Sequence, residues 1–286
     1  MASTVKKYFL TDAGDLVARL VDPGLRIIDC SFSLLDTDAG RRDYLNLHIP
    51  GAVYADLDLD LAAPISNGTG RHPLPEISLL VQKLEEWGVS RETEVVVYDL
   101  QNGVMASRLW WMLKWLGHDN VTLLDGGMSA WLSAGLPLEQ GNVYHRRAEF
   151  VVDQQDGMFV STGEILEGIQ QHNLPILVDA REHERFIGDE EPIDPVAGHI
   201  PGAVSFPFAD SLASDGRWLP HNELRERWKP VLEPARDAGW IAMCGSGVTA
   251  CHLALSAQYA GFAAPRVYTG SWSEWILDPE RPRIPD

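Results

Sequence analysis

Cys244 begins the stretch CGSGVTAC, residues 244–251, in which a thiol is followed by two glycines. The apolar run WIAMC before it predicts a strand, and the residues from Val248 onward predict a helix. Glycine permits a sharp turn between the two, so the backbone N–H groups of residues 245–249 can converge at the helix N-terminus. Such a point binds anions, and it lowers the pKa of a thiol placed there. The stretch therefore predicts a reactive Cys244 thiolate in a loop that would also stabilise a persulfide. The loop residues expected to hold the sulfur or the substrate are Gly245, Gly247, Val248 and Thr249.

Other interpretations of the cysteines can be compared with this one. The strand, glycine turn and helix could be purely architectural, with Cys244 as a small buried apolar side chain. A tyrosine-phosphatase loop is excluded because it requires Cys-x5-Arg, and position 250 is alanine. A zinc site is disfavoured because Cys244 and Cys251 are too far apart for a chelating knuckle. We therefore expect no metal, and we expect Cys251 and Cys30 to pack in the core.

An internal repeat helps to separate architecture from chemistry. The hexapeptide HIPGAV occurs at residues 48–53 and again at residues 199–204. Because a feature kept in both halves is more often architectural, we expect His48 and His199 to make structural hydrogen bonds.

The repeat continues where residues 95–131 run parallel to residues 238–275. Gly103 then matches Gly247 at an offset of 144 residues, and Leu100 stands opposite Cys244. Ser246 and Thr249 similarly stand opposite Asn102 and Met105. The sequence therefore predicts that the second half is catalytic and that the first half is inactive.

Each half alternates short apolar runs with helical patterns. The runs that predict strands are RIIDC, EVVVYD and VTLLDG in the first half, and PILVDA, WIAMC and RVYTG in the second. This alternation predicts an α/β fold with two tandem domains, each a mostly parallel sheet covered by helices. We place the N-terminal domain at residues 1–141, a linker at 142–157 and the catalytic domain at 158–286.

The composition excludes several kinds of partner. Lys and Arg total 23 against 41 Asp and Glu, which gives a formal net charge of −18. We expect no binding to nucleic acid or to anionic membranes, because both are negatively charged. The sequence contains no run of about 18 apolar residues, so we expect no membrane-spanning helix. Three cysteines form no disulfide framework, and the segment MASTVKKYFL does not resemble a secretory signal, so we expect a cytoplasmic location.

These motifs resemble the two-domain rhodanese-type sulfurtransferases, and within them the 3-mercaptopyruvate sulfurtransferases. The resemblance covers nearly the whole chain and includes both HIPGA turns, LLDGGMSAW, GSWSEW and CGSGVT. The thiosulfate-preferring branch usually has basic residues after the cysteine, as in Cys-Arg-Lys-Gly-Val-Thr, whereas this chain has Gly245 and Ser246. The resemblance therefore implies two tandem rhodanese-like domains, with the N-terminal one inactive, and favours mercaptopyruvate as the donor.

The resemblance also implies roles for basic residues. Arg185, in DAREHERF, matches an arginine that holds the substrate carboxylate, and its planar guanidinium suits that task; a surface ion pair is the alternative. The family's second arginine lies in a Glu-Pro-Arg context, where this chain has Ile193. Donor affinity is then weak, the charge comes from elsewhere, or another donor is used. Arg181 either replaces it or pairs with an acidic neighbour.

A proton relay of the family has matches as well. Its serine, histidine and aspartate correspond to Ser246, His72 and Asp58, the last two in GRHPLP and DLDLD. Histidine titrates near neutrality and can move a proton to the leaving enolate. A solvated loop histidine and a turn or cap aspartate are the alternative interpretations.

The implied reaction transfers sulfane sulfur from 3-mercaptopyruvate, an anionic small molecule, to an acceptor through a Cys244 persulfide. The expected acceptor is a thiol, such as thioredoxin or a small thiol, or cyanide, and no cofactor is needed. Two alternatives stay open. They are a thiosulfate:cyanide sulfurtransferase and a noncatalytic binding module of the rhodanese fold.

Overall fold

A computed structural model describes residues 9–235 and 238–285 of the chain. The chain forms two compact units. Of the described residues, the first unit comprises 9–63, 74–156 and 214–218, and the second comprises 64–73, 157–213, 219–235 and 238–285. Each unit therefore includes a short segment from the other half of the sequence, whereas the predicted domains are contiguous.

The first unit contains a five-stranded sheet in the order β1-β5-β4-β2-β3, and all of its strand pairs are parallel. Its strands are β1 (Leu10–Thr11), β2 (Leu25–Asp29), β3 (Ala52–Tyr54), β4 (Glu94–Tyr98) and β5 (Val121–Leu124). Its helices are α1 (Ala13–Val17), α2 (Ala39–Asn46), α3 (Ile77–Glu86), α4 (Ala106–Trp115) and α5 (Gly127–Ser133).

The second unit repeats this arrangement with the order β6-β10-β9-β7-β8, again with parallel pairs. Its strands are β6 (Phe159–Val160), β7 (Ile176–Asp179), β8 (Ala203–Ser205), β9 (Trp240–Met243) and β10 (Arg266–Tyr268). Its helices are α6 (Thr162–Gln170), α7 (His183–Ile187), α8 (His221–Leu232), α9 (Thr249–Tyr259) and α10 (Ser271–Trp275). Short 3-10 helices cover Phe208–Ser211 and Glu233–Ala235. The predicted α/β fold with two parallel sheets is confirmed.

The central strands explain why the Cys244 loop follows β9. All four residues of β9 are buried, as expected for a strand covered by helices on both faces of a parallel sheet. Helix α9 is also largely buried and returns across the sheet. The turn between β9 and α9 lies at the carboxyl edge of the sheet, where open α/β folds place their ligands.

The two HIPGA turns are architectural. His48 Nδ1 lies 2.7 Å from the Tyr44 carbonyl oxygen, and His199 Nδ1 lies 2.8 Å from that of Phe186. The His48 backbone pairs with Glu139, and the His199 backbone pairs with Ile284. The structural hydrogen bonds predicted for both histidines are present, and each turn holds a later segment of its unit.

Within the described ranges, no helix combines the length and the apolar character that a bilayer crossing requires.

Candidate active site

Cys244 lies directly after β9 and is 2% exposed. Its Sγ accepts a hydrogen bond from the Gly247 N–H at 3.1 Å. The Cys244 N–H donates to Ser271 Oγ at 3.1 Å, and its carbonyl accepts from the Trp272 N–H at 3.0 Å. The loop therefore holds the sulfur at the start of α9, and Gly247 supplies one of the amide contacts expected from the sequence.

Gly247 is required by the shape of this loop. Its φ is +80°, and a Cβ atom there would lie 2.2 Å from the Thr269 carbonyl oxygen. The equivalent Gly103 has a φ of +78°, so both units use the same turn. Val248 follows as the residue before α9, and Thr249 is the first residue of that helix.

The first unit fills its loop with a carboxylate. Asp99 follows β4 and is buried, and its oxygens accept hydrogen bonds from four backbone N–H groups. The donors are Gln101, Gly103, Met105 and Ala106, at 3.1, 2.9, 2.9 and 3.2 Å. Burial raises the pKa of Asp99 although these hydrogen bonds oppose the shift. The loop is thus an anion site occupied by its own chain.

The strand register corrects the predicted match between Leu100 and Cys244. Asp29 pairs with Tyr98 in the first sheet, and Asp179 pairs with Met243 in the second. Tyr98 therefore corresponds to Met243, and the next residue, Asp99, corresponds to Cys244. The offset of 144 residues fails here because the first loop has one more residue before its glycine. Aligning the strands rather than the glycines would have revealed the carboxylate.

Ser246 and His72 are brought together as predicted. His72 Nδ1 lies 2.8 Å from Ser246 Oγ, and both residues are buried. His72 belongs to the second unit because residues 64–73 pack there. Gly70 permits this packing, since a Cβ atom at that position would lie 2.6 Å from the Gly270 carbonyl oxygen. Because Ser246 belongs to the loop after Cys244, the pair can exchange a proton at that loop.

Asp58 is placed in the first unit, in an exposed turn after β3. Its backbone N–H donates to Asp56 Oδ1 at 2.9 Å. Partial burial and the nearby Asp56 carboxylate raise the pKa of Asp58. Its part in the relay stays a prediction.

Arg185 projects from α7 and is buried among carboxylates. Its Nε lies 2.9 Å from Glu191 Oε1, and its Nη2 lies 2.9 Å from Asp194 Oδ2. Arg185 Nη1 also lies 3.8 Å from Oε2 of the exposed Glu182. The alternative interpretation, an ion pair with acidic neighbours, is therefore found, although Glu191 and Asp194 are buried. Glu191 comes from the segment in which the family has its second arginine.

Arg181 does not provide the missing positive charge. Its guanidinium binds both oxygens of Asp179 through Nε, at 3.1 and 3.0 Å, and donates from Nη2 to the Gly198 carbonyl oxygen at 2.7 Å. It also lies over the Trp272 ring, 4.8 Å from its centroid. The predicted alternative, pairing with an acidic neighbour, is the one found.

Arg71 is a residue that sequence reasoning missed. Its Nη1 pairs with Asp194 Oδ1, and its backbone N–H donates to Ser273 Oγ at 3.0 Å. Arg71 directly precedes His72, so one short segment supplies both side chains. The only sequence signal for Arg71 was its position next to His72 in the motif GRHPLP.

The other two cysteines are core residues. Cys251 is buried in α9, and its thiol donates to the Gly247 carbonyl oxygen at 3.3 Å. Cys30 is buried after β2, and its burial, reinforced by the Asp29 carboxylate, raises the pKa of its thiol. Both therefore lack the environment that makes a thiol reactive.

Comparison with known proteins agrees with this geometry. Residues 12–134 and 161–278 each match the family of the rhodanese-like domain. A probable 3-mercaptopyruvate sulfurtransferase of Pseudomonas aeruginosa is 48% identical over 275 residues, covering 96% of this chain and 96% of that protein. A putative thiosulfate sulfurtransferase of Mycobacterium tuberculosis is 38% identical over 264 residues, covering 91% and 90%.

A solved structure is similar over the same length. The 3-mercaptopyruvate sulfurtransferase from Leishmania major matches with a TM-score of 0.83 and 30% identity, covering 96% of this chain and 76% of that one. The family model, the sequence relatives and the solved structure thus all cover both halves of the chain. The chain belongs to the family of the rhodanese-like domain and contains two copies of that domain.

Proposed function

We propose that this chain is a sulfurtransferase that moves sulfane sulfur from 3-mercaptopyruvate to an acceptor through a persulfide on Cys244. The observation that carries the proposal is the contrast between the two loops. The Gly247 N–H binds a sulfur in the second unit, whereas the corresponding Gly103 N–H binds the Asp99 carboxylate in the first. Only the second loop therefore presents a nucleophile. The sequence identity to a probable 3-mercaptopyruvate sulfurtransferase supports this choice of donor.

In the first step, the Cys244 thiolate attacks the sulfur of the donor. A sulfur–sulfur bond forms while the carbon–sulfur bond breaks, and the bonding electron pair moves to the carbon as an enolate. The proton of the donor thiol passes to that carbon, which gives pyruvate and a Cys244 persulfide anion. We assign this proton transfer to Ser246 and His72, and the 2.8 Å contact between Ser246 Oγ and His72 Nδ1 supports the assignment.

In the second step, an acceptor nucleophile attacks the outer sulfur. The bond between the two sulfurs breaks, and Cys244 leaves as a thiolate. The loop amides bind an anion in both states, so neither state requires rearrangement of the loop. Because the donor product departs before the acceptor reacts, ping-pong kinetics are expected.

The acceptor is a thiol, either a thioredoxin or a small thiol, or cyanide. We further propose a cytoplasmic location, on the basis of the small number of cysteines. A reducing compartment would also provide the thiols that accept the sulfur.

A thiosulfate:cyanide sulfurtransferase is the second candidate, because a putative thiosulfate sulfurtransferase is 38% identical to this chain. The test compares 3-mercaptopyruvate and thiosulfate at equal concentration, with the mass of the intact protein and product formation as readouts. We expect the mass of one added sulfur atom, and faster loading from 3-mercaptopyruvate. Faster loading from thiosulfate would overturn the choice of donor. If neither donor added a sulfur, the noncatalytic binding module would replace the enzyme.

A further inference from the structure

Two arginine side chains in the second unit share the carboxylate of Asp194. Its Oδ2 accepts a hydrogen bond from Arg185 Nη2 at 2.9 Å, and its Oδ1 pairs with Arg71 Nη1. The Asp194 side chain is 2% exposed, so this pairing is shielded from water. Two guanidinium groups that converge on one carboxylate form a geometry suited to carboxylates in general.

This arrangement lies against the residue next to the nucleophile. A Cβ atom on Gly245 would lie 2.9 Å from Arg71 Nη2, 3.6 Å from Arg185 Nη2 and 3.7 Å from Asp194 Oδ2. The absence of a side chain at Gly245 therefore leaves room for the Arg71 guanidinium. A donor whose sulfur reaches Cys244 would have its carboxylate near this group of three side chains.

The two arginines differ in how completely their charge is neutralised. Arg185 binds Glu191 as well as Asp194, whereas Arg71 forms an ion pair with Asp194 alone among the residues that the structure describes. The Arg71 Nε is buried and makes no hydrogen bond to the residues that the structure describes. The Arg71 side chain is also more exposed, at 25% against 9% for Arg185. Arg71 is thus the more available of the two cations.

We propose that Arg71 and Arg185 together clamp the carboxylate of the donor, and that Asp194 competes with the donor for the same two guanidinium groups. The inference rests on the proposed function, because it requires a donor that carries a carboxylate. It assigns the missing second positive charge to Arg71 and makes Asp194 an internal competitor. Donor affinity should then fall when Arg71 loses its charge and rise when Asp194 loses its charge.

The test measures KM and kcat for two donors in four variants. Mercaptoacetone serves as the control donor, because it has a methyl group where 3-mercaptopyruvate has its carboxylate. Arg71→Met should raise KM for 3-mercaptopyruvate at least about tenfold, the size expected for a lost charged hydrogen bond, with little change for mercaptoacetone. The KM of Arg71→Lys for 3-mercaptopyruvate should lie between the values for Arg71→Met and for the unmodified chain. Asp194→Asn keeps an acceptor oxygen but loses the negative charge that competes with the donor for the two arginines. This variant should therefore lower KM for 3-mercaptopyruvate several-fold.

Arg266→Met is the matched control, because Arg266 pairs with Glu164 on the surface of the same unit. It should leave both donors unaffected. Thermal unfolding of each variant checks its fold. If Arg71→Met does not fold, the inference is tested by the ratio of KM for 3-mercaptopyruvate to KM for mercaptoacetone in Arg71→Lys. Equal changes in KM for both donors in the Arg71 variants, or a higher KM in Asp194→Asn, would overturn the inference. If the unmodified chain gained no sulfur on Cys244 from any donor, the proposed function itself would fail.

Discussion

Cys244 and Asp99 occupy the same position in the two units, and each accepts a hydrogen bond from the glycine N–H of its loop. The same backbone turn therefore holds the Cys244 sulfur in one unit and the Asp99 carboxylate in the other. One residue thus differs between the two units at this position while the turn remains the same.

Replacing Cys244 with serine should abolish sulfur transfer. An alkoxide is not available near neutral pH, and no sulfur–sulfur bond can form, so the rate should fall at least about a thousandfold, as expected when the nucleophile of covalent catalysis is lost. Intact-protein mass should show no added sulfur, and thermal unfolding should be nearly unchanged. Cys30→Ala, in the core of the first unit, is the control and should still acquire one sulfur atom. A Cys244→Ser variant that transferred sulfur at the original rate would contradict the mechanism.

Ser271 is a non-glycine residue with a φ of +52°, and its counterpart Gly127 has a φ of +54°. Its Oγ accepts from the Cys244 N–H at 3.1 Å and donates to the Tyr268 carbonyl oxygen at 2.8 Å. The hydroxyl thus offsets a strained backbone beside Cys244.

Ser271→Ala should lower the free energy of unfolding by about 1–3 kcal/mol, because it leaves a buried N–H without its acceptor and keeps the strain. Ser271→Gly should be more stable than Ser271→Ala by about 1 kcal/mol, because glycine adopts a positive φ without strain. Urea unfolding measures both. If the alanine variant were as stable as the glycine variant, backbone strain at this position would be negligible.

Asp29 and Asp179 are equivalent in the two sheets, but among the described residues only Asp179 has an arginine partner. The position of Arg181 is taken in the first unit by Ser31, whose N–H donates to Asp29 Oδ1 at 2.9 Å. Burial therefore raises the pKa of Asp29 to about 6.

This shift should make stability depend on pH. The folded chain retains the Asp29 proton that the unfolded chain loses near pH 4, so stability should fall as pH rises from about 4 to about 6, by roughly 3 kcal/mol in total. Asp29→Asn should flatten that slope in urea unfolding across this range. Asp36→Asn is the control. Because Arg42 lowers the pKa of Asp36, this variant should change the dependence of stability on pH in the opposite direction. A slope unchanged in Asp29→Asn would show that another group causes it.

At the scale of elements, the buried strands were predictable, and the shortest ones were not. The run WIAMC predicted β9 at Trp240–Met243, and EVVVYD predicted β4 at Glu94–Tyr98, because buried parallel strands are continuously apolar. The two-residue strands β1 and β6 carry too few residues for any periodicity to be visible.

The site was predictable where it depended on one continuous segment. Cys244, Gly247 and the start of α9 lie within six residues of sequence, so their spacing determines their geometry. Arg71 was missed because a long side chain reaches its partner Asp194 across 123 positions of sequence. The role of Asp99 was missed because one additional loop residue shifts the repeat, which only the strand register reveals.

The loop after β4 should depend on its internal carboxylate. Asp99→Ala would leave four backbone N–H groups without their acceptor, at a cost of about 3 kcal/mol in the free energy of unfolding. Asp99→Asn should cost less, because its amide oxygen still serves two of the donors. Hydrogen exchange of the Gly103 and Met105 amides should accelerate in the alanine variant, whereas the Gly247 amide should not change. Equal protection of these amides in both proteins would show that the carboxylate does not hold the loop.

At the scale of the whole molecule, the net charge of −18 opposes an anionic donor. The field of many exposed carboxylates is screened within about 8–10 Å at physiological salt, whereas buried arginines such as Arg185 are screened much less. Raising salt should therefore weaken the repulsion between the acidic surface and the donor more than it weakens the proposed binding of the donor by Arg71 and Arg185.

We expect kcat/KM for 3-mercaptopyruvate to rise by about two- to threefold when ionic strength increases from about 0.01 M to about 0.15 M, because the repulsive field is screened over this range. Mercaptoacetone is uncharged and should show no such rise, so it separates the effect of the field from any general effect of salt. Steady-state rates at constant pH, with sodium chloride and potassium chloride compared, measure both donors. If kcat/KM for 3-mercaptopyruvate fell as salt increased, attraction by the local arginines would outweigh the net charge of the chain. The acidic surface would then impose no barrier that the arginines must overcome.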